Sequence, residues 1–144
     1  MSGAERLYTP ELLALTLKLA EFPLDENLPL EGAARSKSCG STLTLRLALD
    51  DAGAVARIGL RAHACAVGQA SAAIFAEAAS GRDPAEIERA ARAMEQWIAQ
   101  AGRAPDWPGI EMLDPARAYP ARHGAMMLPW QAALAALSTR PATR

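Results

Sequence analysis

The residues of this chain best able to do chemistry are its two cysteines, Cys39 and Cys65, and its two histidines, His63 and His123. Cys39 lies in the run Ser38-Cys39-Gly40-Ser41, just before a stretch of alternating residues, and Cys65 lies where a second such stretch gives way to a helical pattern. The thiolate, not the thiol, binds soft metals and accepts sulfur, and the positive end of a helix dipole favours that form. Neither cysteine belongs to a CxxC, so spacing alone gives no zinc or redox motif. A cysteine can also be no more than a small apolar residue of the core. His63, two residues before Cys65, is either a metal ligand or a solvated strand residue; His123 is either a ligand or a loop or helix-start residue. Arg122 is a surface charge or, beside a thiolate, a group that would stabilise it or hold a sulfur-transfer partner. A thiol enzyme with Cys39 as nucleophile and His63 or His123 as base would need an orienting third group, and the sequence offers none.

The elements that must position these groups follow from periodicity. Thr9-Pro10-Glu11 opens a helix, with Thr9 as cap and Pro10 in the first turn; Leu12, Leu13, Leu17 and Leu19 continue it and Pro23 stops it. Residues 24–34 read as a connector, and Gly32 to Ser38 could add an edge strand. From Ser41 to Leu49, Leu43, Leu45, Leu47 and Leu49 alternate with Thr42, Thr44, Arg46 and Ala48, the mark of a half-buried strand. Asp50-Asp51-Ala52-Gly53 is a turn by its chemistry, and Val55 to Ala64 alternates again, so the pair predicts an antiparallel hairpin. Residues 65–79 turn helical and end at Ser80-Gly81, while Asp83-Pro84-Ala85-Glu86 is a capping box rather than an acid/base couple. Ile87, Ala90, Met94, Trp97 and Ile98 then mark a helix ending near Gly102. Arg103 to Pro120 is punctuated by proline and predicts at most a short helical turn, with Trp107 pinning the loop or meeting a partner. A last helix should run from about Ala125 to Leu137, with Met126, Met127 and Trp130 in the core and Pro129 tolerable only in its first turn. Strands followed by helices give an α+β class.

The length of 144 residues fits one domain, residues 1–144, with a core of about 8–137 and a frayed tail at 138–144. Half the chain is hydrophobic (51%), and a formal charge of −1 with interspersed signs gives no electrostatic footprint for nucleic acid or an anionic membrane. No apolar run is long enough to span a bilayer, and MSGAERLYTP has no apolar signal core, so a cytoplasmic protein with reduced thiols is expected. Few Lys beside many Arg and Ala point to a GC-rich bacterial genome.

With the elements in place, several motifs resemble the U-type iron–sulfur cluster assembly scaffolds (the IscU, NifU and SufU group). Cys39-Gly40-Ser41 before a strand resembles their Cys-Gly-Asp, and Ala64-Cys65-Ala66-Val67-Gly68-Gln69-Ala70-Ser71-Ala72 resembles their cysteine segment at a helix start. Gly81-Arg82 resembles the Gly-Lys that closes that helix. Tyr119-Pro120-Ala121-Arg122 and Leu128-Pro129-Trp130 resemble the frame around the third cysteine in the SufU-like branch. The resemblance runs from about Tyr8 to Leu137 in the right order. It implies a three-stranded antiparallel sheet packed by about four to five helices. It also implies a site of converging thiolates and a carboxylate that holds zinc or a nascent iron–sulfur cluster and receives persulfide sulfur from a cysteine desulfurase. Ser41 stands where the family has Asp, Ala125 where it has the third Cys, and Gly124 where it has Lys or His.

The resemblance thus implies a scaffold-like protein rather than an enzyme, working with a desulfurase and with cluster assembly or acceptor proteins. Cys39 would be the persulfide acceptor, and Cys39 and Cys65 the ligands of iron, cluster or zinc, with His123 or His63 completing the set. The alternative is a metal-free paralogue that keeps the fold and docks on the assembly machinery.

Overall fold

The structure is a computed structural model that describes residues 7–141. The expectations for residues 1–6 and for the end of the tail, 142–144, lie outside the described residues. Helix α1 (Pro10–Lys18) starts as expected, with Thr9 Oγ1 accepting the Leu12 amide at 3.1 Å, and a 3-10 turn, Leu19–Glu21, ends it before Pro23. Only one face of this short helix is covered. Leu12 is buried, whereas Leu13 and Leu17, which the spacing assigned to the same stripe, stand exposed.

Three strands, β1 (Leu30–Arg35), β2 (Thr42–Leu49) and β3 (Val55–His63), form one antiparallel sheet in the order β1-β2-β3. In β2 the alternation does what the physics demands: Leu43, Leu45 and Leu47 are buried and their neighbours are half-buried on the opposite face. Asp50 accepts the amides of Ala52 and Ala54 through Oδ1, and Gly53 takes φ +84, closing the β2–β3 turn. The expected edge strand is real but shifted; it begins at Leu30 and ends at Arg35, leaving Ser36 to Ser41 as the loop into β2. Gly59 lets the chain at Pro23 run directly over β3, where Leu60 N–H donates to Phe22 O at 2.8 Å.

Helix α2 (Ala66–Ala79) follows β3 with Cys65 as its N-cap, and Gly81 at φ +86 turns the chain toward α3 (Pro84–Ile98). The capping box is complete: Glu86 N–H donates to Asp83 Oδ1 at 2.8 Å and Asp83 N–H to Glu86 Oε1 at 3.3 Å. Replacing Asp83 with Ala should therefore cost about 1 kcal/mol, read as a lower midpoint of urea unfolding with an unchanged slope. Helix α3 stops at Ile98, short of the expected Gly102, because Gln100 already adopts a positive φ.

The proline-rich stretch holds more structure than a single turn. Ile110–Ala118 forms a 3-10 segment whose buried residues Ile110, Leu113 and Ala116 recur every third position, the period of that helix. Trp107 pins the loop before it: its Nε1 donates to Ile74 O at 2.9 Å, its ring stacks on Phe75, and Arg82 lies 4.0 Å above its centroid. After a further 3-10 turn, Pro120–Arg122, helix α4 runs from His123 to Ser138.

Helix α4 begins earlier than expected, which places Pro129 in its interior rather than its first turn. Pro129 has no N–H to give the Ala125 carbonyl, a loss that breaks many helices. Packing outweighs it here, because Ala125 to Trp130 and then Ala132, Ala133, Ala136 and Leu137 are all buried. The helix lies against β1 and β2 on one side and α2 and α3 on the other, while α2 also meets α1 and β3. One hydrophobic cluster joins these elements. No helix among the described residues is long and apolar enough to cross a membrane.

Candidate functional site

The loop from Ser36 to Ser41 is a closed, hydrogen-bonded turn. Ser36 N–H donates to Ser41 O at 2.8 Å, Gly40 N–H donates to Ser36 O at 3.0 Å, and Gly40 adopts φ +71. This geometry folds both serine hydroxyls back onto the thiol between them. Cys39 Sγ is 3.3 Å from Ser36 Oγ and 3.1 Å from Ser41 Oγ. The serines are buried (2% and 4% exposed), whereas Cys39 is half-buried and open to a reagent or partner.

Those hydroxyls set the chemistry. Turned to donate, they stabilise a thiolate, Ser36 first and Ser41 next, with a smaller contribution from the Arg122 charge. Together they outweigh the opposing effect of burial and bring the Cys39 thiol from 9.0 down to about 7.

Cys65 comes close to this group through the sheet. Pairing of Thr42 with His63 sets the start of β2 beside the end of β3, and Cys65 N–H reaches Ser41 Oγ at 3.4 Å. Ser41 therefore joins the Cys39 thiol to the first turn of α2. The Cys65 side chain caps no amide of that helix and remains a free, half-buried thiol.

The histidines go elsewhere. His63 lies exposed at the end of β3. His123 starts α4, and its Nε2 donates to Arg117 O at 2.8 Å, which commits that nitrogen to the preceding 3-10 segment. Neither is a hydrogen-bond partner of Cys39, whose side-chain partners are the two serines. Ala125, at the position where the resemblance puts the third thiolate, is fully buried.

Two residues have roles here that the sequence does not announce. Ser36 is three positions before Cys39, and nothing in its own segment marks it as a thiol partner. Gly124 is the other: a Cβ there would meet Ser36 Oγ at 2.4 Å, so its bare backbone is what leaves room for the hydroxyl that touches the thiol. The nearby Ser38 hydroxyl donates to Ala121 O at 3.0 Å and ties the same loop to the entrance of α4.

Zinc sites and iron–sulfur clusters take four donors, or three with one from outside. Among the described residues no three or more His, Cys, Asp or Glu side chains come together to hold a metal ion. Cys39 and Cys65 with a neutral hydroxyl between them do not fit a resident zinc or a cluster held by this chain alone.

A half-open, activated thiol on a tight loop, beside a second thiol at a helix start, on one face of a small antiparallel sheet, defines a thiol-bearing α+β protein. Its architecture is the U-type scaffold fold. The chain is similar to the N-terminal part of a nitrogen-fixing NifU-like protein from Brucella abortus, at a TM-score of 0.83 and 28% identity, covering 95% of this chain and 96% of that one. It is also similar to a protein from Fervidobacterium islandicum AW-1 described as a candidate iron–sulfur cluster assembly scaffold for the SUF system (TM-score 0.79, 21% identity, 91% and 96% covered). A third structure, of a protein described only as hypothetical, shares the fold at a TM-score of 0.70 and 18% identity, with 89% and 97% covered. No protein-family model matches the chain, and no curated protein does.

Proposed function

We propose that this chain is a scaffold-like protein of iron–sulfur cluster assembly that takes up sulfur on Cys39 from a cysteine desulfurase and works in the cytoplasm, where thiols stay reduced. The observation that carries this reading is the Cys39 thiol, held between Ser36 and Ser41 and lowered to about 7, so that a large share is thiolate at neutral pH. Similarity to a NifU-like domain and to a candidate SUF scaffold supports the assignment to cluster assembly.

The step is a sulfur transfer without net oxidation. The Cys39 thiolate attacks the outer sulfur of the donor's cysteine persulfide, a new Sγ–S bond forms, the donor's S–S bond breaks and the donor thiolate leaves. Ser36 and Ser41 donate to the attacking sulfur before the step. The loop keeps that sulfur half-exposed, so the donor can approach it. Iron or a nascent cluster is cargo in this scheme and needs donors from outside the chain as well as Cys39 and Cys65.

Incubation with a cysteine desulfurase and cysteine, followed by mass analysis of the cysteine peptides, tests the proposal. The expected result is one added sulfur on Cys39 in Cys65→Ser, where Cys39 is the single thiol, and uptake at background in Cys39→Ser. Equal uptake by that variant rejects Cys39 as acceptor. The chain is then read as a metal-free module that docks on the assembly machinery, the reading that the lack of a three-ligand group among the described residues would favour.

A further inference from the structure

We propose that Cys65 resolves a persulfide formed on Cys39, so that the chain discharges its sulfur as sulfide and closes a Cys39–Cys65 disulfide. The inference rests on the reading of Cys39 as a sulfur acceptor and adds a second activity to it.

The two cysteines are the only thiols of the chain. One buried hydroxyl bridges the Cys39 thiol and the Cys65 backbone: Ser41 Oγ lies 3.1 Å from Cys39 Sγ and accepts the Cys65 amide at 3.4 Å. The sheet fixes this juxtaposition, since Ser41 directly precedes β2, Cys65 closely follows β3, and Thr42 pairs with His63 between them. Cys65 Sγ is spared capping duty on α2, so a rotation about its own side chain is free of any helix bond. On the other side, Gly40 at φ +71 has open space around it, which leaves the Cys39 loop room to adjust. Ser41 and Ala125 put a neutral hydroxyl and a fully buried methyl where the resemblance places a carboxylate and a thiolate. Neither position therefore supplies a second thiol to compete with Cys65 for the inner sulfur of a Cys39 persulfide.

The reaction balances within the chain. The Cys65 thiolate attacks Cys39 Sγ, a Cys65–Cys39 S–S bond forms, and the bond from Cys39 Sγ to the outer sulfur breaks. The outer sulfur leaves with the electron pair as hydrosulfide, taking a proton that solvent received from Cys65. The two cysteine sulfurs are oxidised to a disulfide and the carried sulfur is reduced to sulfide. A dithiol reductant restores both thiols by ordinary thiol–disulfide exchange.

The test loads the purified full chain with inorganic polysulfide under anaerobic conditions, removes the excess, and follows sulfide release and peptide mass without added thiol. Wild type should release sulfide in step with a Cys39–Cys65 disulfide. Cys65→Ser should keep the extra sulfur on Cys39 and release sulfide at least about tenfold more slowly. Serine is among the better N-cap residues, so this variant retains the start of α2. Equal release by wild type and Cys65→Ser overturns the proposal, as does wild type that keeps its sulfur without a disulfide or carries it on Cys65. Failure of Cys65→Ser to acquire sulfur on Cys39 is a separate outcome; it rejects the acceptor reading itself.

Discussion

Replacing Ser36 with Ala should raise the pH at which Cys39 becomes reactive, from about 7 toward the ordinary thiol value of 9.0. The Ser36 hydroxyl makes the largest contribution to the lowered thiol, ahead of Ser41 and well ahead of Arg122. In a Cys65→Ser background, where Cys39 is the single thiol, alkylation by iodoacetamide reports the thiolate fraction directly. Because a group with a depressed pKa is deprotonated above that value, the wild-type rate should climb through neutrality and level off above it. In Ser36→Ala the climb is displaced to higher pH, and at pH 7 the rate should fall roughly three- to tenfold, the greater nucleophilicity of a more basic thiolate recovering part of the loss. Ser41→Ala should shift the profile in the same direction and by less. Profiles that superimpose on wild type would show that the serines do not tune the thiol.

The same measurement reaches a residue with no polar side chain. Gly124→Ala puts a Cβ where it would come to 2.4 Å from Ser36 Oγ but 3.2 Å from Ser36 Cβ, so the hydroxyl must turn away while the rest of Ser36 needs to yield little. Its alkylation profile should move toward that of Ser36→Ala. Read this way, a glycine in α4 is part of the thiol site, acting through the space it leaves.

What the sequence made legible was whatever depends on near neighbours. The alternation of Leu43, Leu45 and Leu47 fixed β2 and its buried face, Asp50 and Gly53 fixed the turn, and the Asp83–Glu86 box fixed the start of α3, since each is local physics. Cys39 on a loop before a strand and Cys65 at a helix start were legible for the same reason. Exposure of Leu13 and Leu17 was not, because it depends on which distant elements cover a nine-residue helix. The interior position of Pro129 was not legible either, because local propensity opposes it and only the burial of α4 on both sides outweighs that. The contact between Gly124 and Ser36 links the two ends of the chain's core, and the bond from His123 to Arg117 O depends on the angle at which a 3-10 segment delivers α4; neither has a local signature. Local pattern placed the cysteines, but the hydroxyl chemistry around Cys39 emerges only from the packing.

Gly32→Ala should be among the most damaging glycine-to-alanine changes in this fold. In β1, opposite Leu45, a Cβ at residue 32 would lie 2.1 Å from Ala132 O and 2.3 Å from Ala136 N. Both obstacles are backbone atoms of α4, so no side-chain rotation relieves the overlap and the helix must move off the sheet. Alanines at 132 and 136 permit the close approach, and a bare strand position completes it. Overpacking a core usually costs about 1–3 kcal/mol, and an overlap with helix backbone belongs at or beyond the top of that range. Gly53→Ala supplies the comparison: nothing lies within 4 Å of its Cβ, so only the φ of +84 opposes it, at about 1–2 kcal/mol. Chemical unfolding of the two variants beside wild type should place Gly32→Ala well below Gly53→Ala. Wild-type stability in Gly32→Ala would mean that α4 does not rest on β1 as closely as described.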